Sequence, residues 1–180
     1  MRIIRGSHRG RKIHTPGNLP VRPTTDLAKE SLFNIIENHY DLEGLTILDL
    51  FAGTGSISYE FASRGAAEVI SVDINPRCVN FIRDTATTIG FSEIKTVKTS
   101  AFGFLNLCRQ KFDIIFADPP YDIEGLDILT RKIFDLGLLK DGGIFILEHS
   151  AGWSFIDYKE FSEERKYGKV HFSIFRKPAE

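Results

Sequence analysis

Apolar and polar positions follow two different periods along this chain. In "DLAKESLFNIIENHY" (residues 26–40) Leu27, Phe33, Ile36 and Tyr40 recur at spacings that predict one face of a helix, with Thr24, Thr25 or Asp26 capping its start. Short apolar runs bounded by turn residues then predict strands: "LTILDL" (45–50), "AEVISVD" (67–73), "EIKTVK" (93–98), "FDIIFAD" (112–118) and "GGIFILEH" (142–149). Helical stretches separate them at 56–65, 76–90 and 126–137. Gly65 and Gly90 stop the first two, and Pro76 opens the second. The end of the chain changes character. "DYKEFSEERKYGKVHFSIFRK" alternates, which predicts an antiparallel hairpin turning near Tyr167-Gly168.

Repeated strand–helix units imply a mostly parallel sheet with helices on both faces, and the terminal hairpin would bring it to seven strands. Ligands of such α/β sheets sit beyond the carboxyl ends of the strands. Upstream, "RIIRG" and "RKIH" flank "SHRG" and predict a small β-hairpin arm over residues 1–22. The Pro/Thr-rich "NLPVRPTTD" separates it from a main domain at 23–180.

Composition narrows the class. With 180 residues, 42% hydrophobic and 26% charged, the chain is expected to form one globular unit. No apolar run approaches the ~20 residues of a membrane span, and "MRIIRGSHRG" lacks a hydrophobic signal region, so a cytoplasmic protein is expected. Cys78 and Cys108 make neither a disulfide framework nor a metal-ligand spacing. Histidines 8, 14, 39, 149 and 171 show no ligand spacing either, and no metal is expected. The net charge of −1 hides an asymmetry: Arg2, Arg5, Arg9, Arg11, Lys12 and Arg22 precede the first acid, Asp26. A basic arm on a neutral body fits a polyanionic partner, although a solvated charged tail has the same composition.

The chemistry-bearing residues stand at the strand ends. "DLFAGTGS" (49–56) has two glycines in a strand-to-helix turn, but Ser58 stands where a dinucleotide fingerprint has its third glycine. Asp73 ends the next strand, where an acid can bind ribose hydroxyls or simply cap the following helix. Ser100-Ala101 follows the third strand and either edges a nucleobase or caps a helix. Asp118-Pro119-Pro120-Tyr121 ends the fourth. Two prolines fix φ twice and remove two donors, which leaves a stiff turn with a carboxylate, free carbonyls and an aromatic ring.

In combination these residues resemble the class I S-adenosylmethionine-dependent methyltransferases, with "DPPY" similar to their amino-methylation motif. "RIIRGSHRGRKI", "RPTTDLAKESLFNII", "LDLFAGTGSISYE" and "FADPPY", in that order, resemble the RsmD-like family, which methylates the exocyclic N2 of a guanine in 16S ribosomal RNA. The resemblance implies a Rossmann-like fold and S-adenosyl-L-methionine as cofactor. It implies a cofactor site of Asp49, Phe51, Gly53, Gly55, Asp73, Ile74, Ser100 and Ala101, with Thr25 and Glu30 at the methionine end. Asp118, Pro119 and Tyr121 would be catalytic. Arg5, Arg9, Arg11, Lys12, Arg22, Pro120 and Tyr121 would contact RNA, either free ribosomal RNA or a small-subunit particle, and the enzyme would act as a monomer. Two departures exist: Ser58 stands where the family more often has glycine, and Ser100 where many class I enzymes carry an acid near the adenine amino group. The competing readings are a DNA adenine-N6 or protein glutamine methyltransferase, which share the acceptor turn, and a non-catalytic RNA-binding assembly factor.

Overall fold

The structure, a computed structural model, describes residues 1–21 and 24–179. Arg22 lies outside the described residues. The elements run α1 (Asp26–Glu37), β1 (Thr46–Leu50), α2 (Ser56–Ser63), β2 (Glu68–Asp73), α3 (Pro76–Ile89), β3 (Ile94–Lys98), α4 (Ala101–Leu107), β4 (Phe112–Ala117), α5 (Leu126–Asp135), β5 (Leu139–His149), β6 (Phe161–Tyr167) and β7 (Val170–Arg176). They form the expected seven-stranded sheet, ordered β3-β2-β1-β4-β5-β7-β6. The first five strands of that order are parallel; β7 pairs antiparallel with both β5 and β6. No helix among the described residues is long and apolar enough to cross a membrane.

Side chains alternate across each strand, so one sheet buries two cores. Ile47, Val69, Ile114, Phe116, Ile144 and Ile146 face α1–α3 and pack with Phe33, Ile36, Phe61 and Ile82. Leu48, Leu50, Val72, Ile115, Phe145 and Leu147 face α4 and α5 and pack with Leu105, Leu129 and Ile133.

Two predicted details change. Leu27 is 76% exposed. The buried stripe of α1 is Lys29, Leu32, Phe33 and Ile36, and Lys29 takes the core-facing position one turn ahead because it has buried partners to reach. Strand β5 begins at Leu139, not Gly142. Leu139 pairs with Phe112, and a register irregularity follows. The two glycines lie inside the strand because a Cβ on Gly143 would come within 3.0 Å of the Asp113 carbonyl oxygen of β4.

The N-terminal hairpin forms, closed by an antiparallel bridge between Arg2 and Lys12. It is anchored rather than detached: Ile3 and Ile13 join the α1–α3 core. Gly6, at φ +83°, lets the hairpin press onto the end of α2, where a Cβ would fall 1.8 Å from the Ser63 carbonyl oxygen. The hairpin explains why every residue of α2 is buried, including Ser56, Ser58, Glu60 and Ser63.

Candidate active site

The loop after β1 is held from three sides. Phe51 adopts φ 61°, the only positive φ outside glycine among the described residues. An aromatic residue in that region costs about 1–3 kcal/mol, a strain typical of functional loops. Gly55 is the left-handed N-cap of α2; a Cβ there would come within 2.8 Å of Ile82 and 2.9 Å of Tyr59. Asp73, at the end of β2, accepts from the Gly53 N–H at 2.8 Å through one carboxylate oxygen and from the Asn75 N–H at 2.8 Å through the other. Each oxygen keeps a second lone pair for a ligand hydroxyl. Ile74, beside it, is 71% exposed.

Beneath the loop, Ser58 resolves its own departure from the fingerprint. Its hydroxyl donates to Asp49 at 2.5 Å and meets the Ser71 hydroxyl at 2.6 Å. Asp49 is fully buried. Burial pushes its carboxyl up to about 7 against the Ser58 hydrogen bond, and the negative charges of Asp118 and Asp73 push the same way. Asp49 thus lies under the loop, with Ser58 as its hydrogen-bond partner.

Ser100 caps α4, accepting from the Gly103 N–H at 3.0 Å, and Ala101 is buried behind it. Thr25 caps α1, accepting from the Ala28 N–H at 3.2 Å, and Glu30 is exposed on that helix. The backbone thus brings Asp49, Phe51, Gly53, Gly55 and Asp73 to the ends of β1 and β2, with Ser100 and Ala101 at the end of β3.

Strand β4 completes the site because it pairs with β1, Asp49 opposite Phe116. Asp118 and the Pro119-Pro120-Tyr121 turn therefore stand beside the glycine loop. Pro119 is buried, Pro120 is exposed and accepts from the Ile123 N–H at 3.0 Å, and the Tyr121 ring is 61% exposed. Loss of water around Asp118 raises its carboxyl above the ordinary range.

Sequence reasoning missed Glu148. Strand β5 pairs with β4, Ala117 opposite Leu147, so Asp118, the residue just past the end of β4, lies next to Glu148 of β5. Glu148 is 6% exposed, and its Oε2 has no hydrogen-bond partner among the described residues. Burial, then the charge of Asp118, raises its carboxyl. Loss of water raises the Tyr121 phenol, and the charges of Glu148 and Asp118 raise it further. The signal was present: Glu148 is an acid at the end of an apolar strand run, as Asp73 and Asp118 are.

The basic residues distribute unevenly. Arg5 pairs with Glu37 at 3.2 Å, whereas Arg9, Arg11 and Lys12 are exposed and make no ion pair among the described residues. The hairpin borders the loop, with the Met1 sulfur 3.7 Å from the Thr54 hydroxyl. Bordering the acceptor turn, where His149 shares a small pocket with Pro119, Pro120 and Tyr121, β5–β7 gather two histidines that sequence spacing did not link. His149, His171 and Glu164 lie with potential ligand atoms within 4.8 Å of one another. Their polar atoms already pair, His149 with the Ser150 carbonyl and the Ser173 hydroxyl, and His171 with Glu164.

The family model described as conserved hypothetical protein 95 matches residues 1–176. The chain belongs to this family. Among curated relatives, "Putative rRNA methyltransferase YlbH" of Bacillus subtilis is 34% identical over 153 residues, covering 83% of this chain and 82% of that protein. The ribosomal RNA small subunit methyltransferase D of Escherichia coli K12 is 28% identical over 189 residues, covering 100% of this chain and 91% of that protein. The solved structure titled "Putative methyltransferase yhhF from Escherichia coli" superposes with a TM-score of 0.87 at 28% identity, covering 100% of this chain and 99% of that one. Family and fold thus agree with the RsmD-like, Rossmann-like expectation, and with a methyltransferase that has ribosomal RNA relatives.

Proposed function

We propose that the protein transfers a methyl group from S-adenosylmethionine to the exocyclic N2 amine of a guanine in small-subunit ribosomal RNA, acting as a cytoplasmic monomer. The observation that carries this reading is the Asp118-Pro119-Pro120-Tyr121 turn, set beside the glycine loop by the β1–β4 pairing.

The donor set fits such a cofactor. The Asp73 carboxylate, pinned by Gly53 and Asn75, suits ribose hydroxyls, with Ile74 and the Ser100-Ala101 start of α4 next to it. Thr25 and Glu30 are assigned to the methionine end, and Phe51, Gly53 and Gly55 to close backbone approach above Asp49. When bound, the cofactor supplies an electrophilic methyl group on a sulfonium.

The protein's own work lies at the acceptor. An exocyclic guanine amine is a poor nucleophile because its lone pair is delocalised into the ring. The Asp118 carboxylate and the Pro119 carbonyl accept the amine hydrogens, which localises that pair toward the methyl group. The prolines hold both acceptors still, so little reorganisation accompanies the transition state. A carboxylate raised toward neutrality is also suited to take the amine proton as the new bond forms. The exposed Tyr121 ring and Pro120 offer a stacking surface for a base drawn out of its helix. Arg9, Arg11 and Lys12, with Arg5 and Arg22, supply phosphate contacts from the basic N-terminal arm at residues 1–22.

The test is methylation of small-subunit ribosomal RNA, both free and as assembled particles, taken from cells lacking this gene. The expected product is N2-methylguanosine at one position. Label appearing only in adenine N6, in protein glutamine or nowhere would reject the reading.

A further inference from the structure

Glu148 is an acid nine-tenths buried at the mouth of the acceptor site, with an oxygen that no polar group of the described residues satisfies. Burying an ionisable carboxyl beside another carboxylate is costly unless something satisfies it. Each buried carboxylate of the scaffold has such partners: Glu60 meets backbone N–H groups and two cations, and Asp49 meets Ser58. Glu148 meets another acid. Its position is set by sheet register rather than by a loop: Ala117 opposite Leu147 leaves Asp118 and Glu148 side by side at adjacent strand ends. Ionised, Glu148 of β5 and Asp118 at the end of β4 present neighbouring acceptors with no donor from the described residues between them, and a ligand N–H facing Glu148 favours that ionised form.

A base that fits this array must present adjacent donors. Guanine does: its Watson–Crick edge carries the N1–H next to the N2 amine. Adenine does not, because its amine neighbours N1, which is an acceptor.

We infer that Glu148 reads the N1–H of the target guanine while Asp118 engages the N2 amine. This rests on the guanine-N2 reading above and adds to it the residue that selects the base. Glu148 is a specificity residue in direct contact with substrate. It completes a site whose rate-determining acceptor remains Asp118. Selection by such a contact is strong in general, because the wrong base leaves a buried acceptor facing another acceptor.

The experiment compares two RNA substrates, one with guanosine at the target position and one with 2,6-diaminopurine riboside. The analogue keeps a 2-amino group but has an acceptor at N1. The wild-type enzyme should prefer guanosine by at least about tenfold in kcat/KM, the scale of one discriminating base contact. Glu148→Gln, nearly isosteric and able to donate, should lose rate on guanosine, gain on the analogue, and so shrink or invert the preference. Glu148→Asp keeps an acceptor but shortens its reach, so it should lose rate on guanosine while still preferring it. Cofactor affinity by calorimetry should be unchanged in both variants.

A Glu148→Gln enzyme that slows equally on both substrates, or not at all, overturns the role of Glu148 while the guanine reading stands. Should that variant not fold, Glu148→Asp decides: unaltered kinetics on guanosine overturn the role. A wild-type enzyme that methylates no guanine overturns both readings.

Discussion

Two clusters of buried charge lie on the same face of the sheet, and they are built on opposite rules. Around α2, Glu60 is fully buried, but its carboxylate accepts from the Ile4 and Arg5 N–H groups at 2.9 Å and pairs with Arg64 at 2.7 Å and Lys29 at 3.6 Å. Lys29 in turn donates to the Arg2 carbonyl and to Ser56 at 3.2 Å. The Arg64 guanidinium also meets Glu37 at 2.6 Å and lies over the Phe33 ring, 4.3 Å from its centroid. At the strand ends, Asp118 and Glu148 lie side by side with no cation from the described residues between them, and both carboxyls are raised. The first cluster is a clasp that ties the hairpin, α1 and α2 together. The second is a pair of neighbouring acids for which the proposed substrate supplies the partners. Buried charge with its partners in place marks scaffold; buried charge without them marks chemistry.

Removing the anion of the clasp should have the largest effect on the fold. Glu60→Ala leaves Lys29 and Arg64 buried without their shared carboxylate and leaves two backbone donors unpaired. Breaking a buried pair in this way costs about 3–5 kcal/mol, to be read from urea denaturation at neutral pH. A loss below ~1 kcal/mol would erase the distinction between the two clusters.

Asp118→Ala should do the reverse. The variant should fold with wild-type stability or better, and should bind cofactor and RNA nearly normally. Its single-turnover methylation should slow by ~100-fold or more, the effect of removing one preorganised transition-state group. Unfolding of Asp118→Ala would move the turn into the scaffold class, and a normal rate would leave the Pro119 carbonyl as the acceptor.

The smallest effect concerns pH. Asp49 titrates near 7 in the folded protein, well above its unfolded value of about 4. Between those limits the folded state binds more protons than the unfolded one, so this group's contribution makes stability fall as pH rises through the window. Asp118 and Glu148 act in the same direction. Thermal melts from pH 5 to 7.5 should therefore show a declining Tm in the wild type, and Asp49→Asn should flatten part of the decline. A slope identical in wild type and Asp49→Asn would mean that Ser58 keeps Asp49 ionised throughout.

The strand–helix alternation, the glycine loop, Asp73 and the DPPY turn were legible in the linear chain because each rests on local rules. Apolar period defines strands and helices, glycine and proline restrict φ, and an acid directly after an apolar run falls at a strand end. Those rules act within a few residues, so one chain carries them without reference to its neighbours. Three other features depend on partners far away in sequence. Lys29 is buried because Glu60 comes to meet it, so Leu27 turns outward although its character favours the core. Ser58 replaces a glycine without loss because Asp49 and Ser71 on neighbouring strands need its hydroxyl. Glu148 joins the acceptor site only through the β4–β5 register; before pairing it is one more acid after a hydrophobic run. The sequence by itself determined which segments become strands and where their ends lie. Only the tertiary structure decided which strand ends meet, because pairing register brings together charges that lie tens of residues apart along the chain.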